Sequence, residues 1–169
     1  MAEVYYRKID PSDVDWGLAW TADLAIARAR LDLRLPPVKI LWVRRVSKAE
    51  HDRAEAGAEL LRSVDSLSYL AAGGPDLSFK DSPVIKDGGA AFLGRVNPFG
   101  MELGNGRGFK EPEIMLSTDQ SSDELRHTVF HEMKHLADFR DRLFNCLTPA
   151  GIAAMEKSAD RYADRMIGK

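Results

Sequence analysis

Apolar residues recur at spacings of three and four from Val14 to Leu35, at Trp16, Trp20, Leu24, Ala27, Leu31 and Leu35, which predicts an amphipathic helix stopped by Pro36-Pro37. The pattern then changes. Val38 to Val46 is short and β-rich, predicting a strand with apolar residues on both faces. A second helix is expected from Ser47 to about Leu70–Ala72, where Gly73-Gly74-Pro75 ends it. From Leu77 to Ser117 the glycines cluster, and the apolar pieces between them predict strands of a small antiparallel sheet: Ala91–Val96, a weak Gly100–Leu103, and Glu113–Ser117. Gly104 to Gly108 is followed by strand-like residues rather than a helix start, so it predicts a hairpin and not a phosphate loop.

The two last helices have sharper beginnings. Ser121 with Glu124 three residues later forms a capping-box pattern, predicting a helix from about Ser122 to Phe144. Thr148-Pro149 supplies an N-cap and first helical residue for a final helix reaching about Ile167. A short link makes these two helices antiparallel neighbours. Repeats and low-complexity tracts are absent, and the fold class expected is α+β in one domain spanning residues 1–169.

Charge and cysteine content narrow the chemistry. Lys plus Arg number 24 against 26 Asp plus Glu, so no basic field favours nucleic acid or an anionic membrane. No apolar run is long enough to span a bilayer or serve as a signal peptide, so a cytoplasmic protein is expected. Cys146 is the single cysteine and is expected to be a small buried apolar residue, leaving His and carboxylates for any metal chemistry. Trp16, Trp20 and Trp42 are expected in the core, and His51 on a solvated helix face. The oligomeric state is not legible.

Within the capping-box helix stands His131-Glu132-Met133-Lys134-His135, an H-E-x-x-H pattern. At about 100° per residue the two histidines lie about 40° apart, one turn above the other, and their imidazoles can grip one ion. His127 and Asp138 share that stripe, while Leu125, Val129, Leu136 and Leu143 fall roughly opposite, where they would anchor the helix. Glu132, at the edge of the polar stripe, is placed to reach a metal-activated water without ligating. A third ligand is required. Glu156 and Asp160, four apart on the last helix, share one face, and Glu156 follows His135 by enough chain to return level with the metal.

The segment His131–His135 followed by Glu156-Lys-Ser-Ala-Asp160-Arg-Tyr-Ala163 resembles the zincin metallopeptidases of the Glu-zincin, thermolysin-like branch, and the helix of small ImmA/IrrE-type intracellular peptidases. The resemblance implies a zincin-like fold: a small, mostly antiparallel sheet packed on helices that include the zinc helix and a C-terminal glutamate helix. It implies Zn2+ held by His131, His135 and Glu156, with Glu132 as general base and Asp160 bonded to a ligating histidine. It also implies a peptide or protein substrate paired along an edge strand, for which Glu113–Ser117 is the candidate. His127 and Tyr162 are candidates to stabilise the oxyanion. An alternative third ligand, Asp141, matches another zincin branch, but Asp138 stands where that branch needs a turning glycine. The activity expected is zinc-dependent peptide hydrolysis. The alternatives are a catalytically weak binding or regulatory protein on the same fold, and a zinc hydrolase of a non-peptide amide.

Overall fold

The computed structural model describes residues 4–54, 56, 84–87, 94–97, 112–144 and 148–168. It is an α+β arrangement of a five-stranded mixed sheet and helices. The strands are β1 (Val4–Ile9), β2 (Lys39–Val46), β3 (Val84–Asp87), β4 (Gly94–Asn97) and β5 (Glu113–Ser117), in the order β3-β1-β2-β5-β4. Three neighbouring pairs are antiparallel, and β2 with β5 is parallel, in the register Lys39↔Glu113 to Val43↔Ser117. The helices are α1 (Trp16–Leu33), α2 (described over 48–54), α3 (Ser122–Asp141) and α4 (Pro149–Met166). Among the described residues no helix is long and apolar enough to cross a membrane.

Local signals explain the helix ends. Asp15 caps α1 by accepting from the Leu18 amide, and Arg34 closes it in the left-handed conformation. Ser121 and Glu124 make both bonds of the capping box, each 3.2 Å. Arg142 ends α3 in the left-handed conformation, three residues short of the expected Phe144 end, and Leu143 beyond it is exposed rather than an anchor. Thr148 accepts from the Gly151 amide at 3.0 Å, with Pro149 next, as its residue types dictate.

One core joins the helices to one face of the sheet, with Trp42, Ile114 and Leu116 from the strands and Leu125, Val129, Phe130, Met133 and Leu136 from α3. Val4, Tyr6, Val43 and Met115 form a second cluster. The strand alternation of side chains separates the two sets, since Ile114 and Leu116 belong to one and Met115 to the other.

Four further expectations are corrected. The face of α1 turned inward is Ala22, Ala25, Ile26 and Ala29, while Trp16, Trp20, Leu24 and Leu31 are 74%, 53%, 54% and 84% exposed. The helix carries two apolar stripes on opposite sides, and the small-residue one lets α1 lie close against α3. Trp16 and Trp20 stack on each other outside, ring centroids 5.7 Å apart, and only Trp42 of the three tryptophans is in the core. His51 is buried rather than solvated, with its ring 4.7 Å from that of Tyr5.

The fourth correction concerns the edge strand. β5 is not an edge: β2 and β4 flank it, and all five of its residues are buried. β4 is the edge strand on that side among the described residues. β1 and β3 are strands that sequence periodicity did not reveal. The Gly100–Leu103 strand, the Gly104–Gly108 hairpin, Cys146 and the second helix from residue 57 onward lie outside the described residues.

Candidate metal centre

α3 and α4 pack along each other, and their polar stripes meet at one point. His131 and His135, one turn apart on α3, place their Nε2 atoms 3.0 Å from each other. Glu156, from the second turn of α4, puts Oε2 at 3.1 Å from His131 Nε2 and Oε1 at 3.1 Å from His135 Nε2. Among the described residues these three form a cluster able to hold a metal ion, their ligand atoms all within 4.8 Å of one another.

The donor set fits zinc by chemistry and by size. Ligands about 2.0–2.1 Å from a tetrahedral zinc stand about 3.3 Å from each other, close to the triangle seen. Two imidazoles and one carboxylate leave a fourth position for water.

The imidazoles are oriented from behind. His131 Nδ1 lies 2.8 Å from Asp160 Oδ1, so an Nδ1–H donating to the carboxylate leaves the Nε2 lone pair facing the cluster. His135 Nδ1 is buried without a hydrogen-bond partner. Burial, and next the charge of His131, hold the pKa of His135 below the usual histidine value, which keeps the ring neutral and able to ligate.

Glu132 is buried at the base of the cluster, and that burial is the main reason its pKa is pushed up to about 7. Glu156 adds to the rise, while His131 and Arg95 of β4 oppose it. β4 passes directly over this residue. A β-carbon at Gly94 would fall 2.6 Å from Thr128 Cγ2 and 3.0 Å from Glu132 Cγ, so only glycine allows the strand this close.

Gly94 was not singled out by motif. The available signal was a glycine inside an otherwise apolar strand pattern, which marks close approach of backbone to another element. Asp138 also gains a place. It is buried, paired with Lys134 Nζ at 2.9 Å, and accepts from Ser158 Oγ at 2.9 Å, tying α3 to α4 beside the cluster.

The other candidates are placed elsewhere. His127 Nε2 pairs with Asp164 Oδ1 at 3.1 Å, and its ring centroid is 6.3 Å from that of His131. Tyr162 packs edge-on against Phe130 in the core, on a different face of α4 from Glu156, and the structure does not bring its hydroxyl to the cluster. Burial, then Asp32 of α1, hold its pKa well above the ordinary tyrosine value. Asp141 is engaged by Arg140 at 2.8 Å and 3.0 Å, and α3 runs through Asp138 without turning.

No family model, no curated protein and no solved structure matches the chain.

Proposed function

We propose that the protein is a zinc-dependent metallopeptidase with a zincin-like arrangement, hydrolysing peptide bonds with Glu132 as general base. The observation that carries the reading is the triangle of His131 Nε2, His135 Nε2 and the Glu156 carboxylate, with edges of 3.0–3.1 Å. A zinc ion bound there would acidify a water molecule and polarise the scissile carbonyl.

The chain's own residues supply the rest. Glu132 follows His131 directly, stands between the two histidines in sequence and is buried, so its carboxylate takes the proton of the attacking water and passes one to the leaving amide nitrogen. A carboxyl group whose pKa stands near neutrality suits both halves of that transfer. Asp160 fixes the orientation of His131. The substrate backbone pairs along β4, which among the described residues has β5 as its single strand neighbour and crosses over Glu132 at Gly94. An open strand beside the base favours an extended peptide over a small enclosed amide.

The test is metal analysis joined to a peptide-library assay. One zinc per chain, and cleavage abolished by chelator and restored by zinc, are expected. Glu132→Gln is expected to keep zinc and lose about 10²–10⁴-fold in kcat. A Gln variant cleaving at the wild-type rate overturns the base assignment. Glu156→Ala is expected to weaken zinc binding, and unchanged affinity overturns the third ligand.

A further inference from the structure

Away from the candidate metal centre, α3, α4 and the end of α1 border an open cleft of about 570 Å³. Four cationic side chains line it, Lys134, Lys157, Arg161 and Arg165, and among the described residues no carboxylate does. Its size is that of a small-molecule site rather than a protein interface.

The arrangement is regular. Lys157, Arg161 and Arg165 are spaced by four on α4, so they form one row about 12 Å long, turned away from the side that carries Glu156. Lys134 faces them from α3 and is held by Asp138 at 2.9 Å, while Arg165 has a loose partner in Asp32 at 3.8 Å. Lys157 and Arg161 have no ion pair among the described residues. Like charges one turn apart repel each other weakly, and an anion bound along the row would relieve that repulsion. Leu33 and Phe144 give the cleft an apolar side. Tyr162 lines the same cleft, with the Lys134 and Arg165 cations over its ring at 6.0 Å and 5.3 Å.

We propose that this cleft binds a small phosphate-bearing anion with an apolar or aromatic body. Guanidinium groups match phosphate oxygens in paired hydrogen bonds, and a row of cations suits a ligand with more than one phosphate. Leu33 and Phe144 would receive the body. The whole chain carries a net charge of −2, which does not supply the general basic field that nucleic-acid binding draws on. The proposal does not depend on the peptidase reading.

Titration calorimetry on the full chain with inorganic pyrophosphate and with ADP tests it. Saturable binding is expected for both, tighter for ADP because of the apolar wall, and weaker as salt is raised. The double variant Lys157→Ala with Arg161→Ala removes two exposed side chains, and is expected to keep the wild-type circular dichroism while lowering affinity at least tenfold. Glu156→Ala, which removes a candidate metal ligand, is expected to leave the affinity unchanged. Absence of saturable binding up to millimolar ligand, or equal affinity in the double variant, overturns the proposal. So does loss of binding in Glu156→Ala, which would place the phosphate on the metal centre.

Discussion

Burying the Glu132 carboxylate sets a pH dependence of stability that is separate from catalysis. Its pKa is raised from 4.5 to about 7, mainly by desolvation, so the folded chain holds this proton more tightly than the unfolded chain. A raised pKa contributes stability below the unfolded value, and that contribution is lost as pH rises from about 4.5 through about 7. The cost of the buried charge amounts to ~3 kcal/mol at most, from the size of the shift. In metal-free protein Glu132→Gln is therefore expected to gain stability relative to wild type as pH rises. Urea denaturation of both at pH 5 and pH 8 checks it, and a stability difference equal at the two pH values contradicts the burial argument. At the same scale, Asp160→Ala removes the carboxylate 2.8 Å behind His131. It is expected to weaken zinc binding about 10–100-fold, measured by competition with a chelating dye.

At the scale of elements, the two stripes of α1 give opposed expectations. Ala29 is fully buried in the core that α1 shares with α3, so Ala29→Leu is expected to overpack it and cost about 1–3 kcal/mol. Leu31, only two residues on, is 84% exposed, and Leu31→Lys is expected to change stability by less than about 0.5 kcal/mol. Thermal denaturation of both variants measures it; the reverse order would put the tryptophan stripe in the core. β4 supplies the parallel case. Gly94→Ala drives a β-carbon into Thr128 and Glu132, so it is expected to cost about 1–3 kcal/mol and to lower activity by displacing the base.

These elements also show why some of the fold was legible and some was not. The starts of α3 and α4 are set within three or four residues by Ser121, Glu124, Thr148 and Pro149, so the chain declares them locally. The pairing of His131 with His135 is likewise a consequence of one helical turn. The inward face of α1 is not declared, because large residues line one side and small ones the other, and the choice belongs to α3. Strand neighbours are further out of reach. Glu113 to Ser117 reads as a strand, but its place between β2 and β4 comes from contacts with residues 39–43 and 94–97. In β1, Val4, Tyr5 and Tyr6 are all buried in succession, which hides the period of two that would have marked a half-buried strand. Glu156 lay between these cases: its helix was legible, and its nearness to the histidines followed from the short link to α4.

At the scale of the whole molecule, the candidate centre is a joint between two helices, one bringing imidazoles and the other carboxylates. His131 and His135 stand on α3, Glu156 and Asp160 on α4, and Asp138 reaches across to Ser158 a turn away. Anything bound at the joint holds α4 against the rest of the core, where Ala159, Tyr162 and Ala163 are its buried residues. An ion that binds the folded chain alone adds stability by mass action, ~4 kcal/mol when its free concentration is a thousandfold above Kd. For a domain of this length that corresponds to a rise in Tm of roughly 8–16 °C, at about 2–4 °C per kcal/mol. Scanning calorimetry with zinc and with chelator is expected to show such a rise in the wild-type chain. The Glu156→Ala variant should show most of it lost, since the remaining pair of imidazoles lies on α3 alone and no longer links the helices. Glu132→Gln is expected to keep the full shift, because that residue holds protons and not the ion. A shift equally large in Glu156→Ala would locate the ion elsewhere and remove the carboxylate of α4 from the centre.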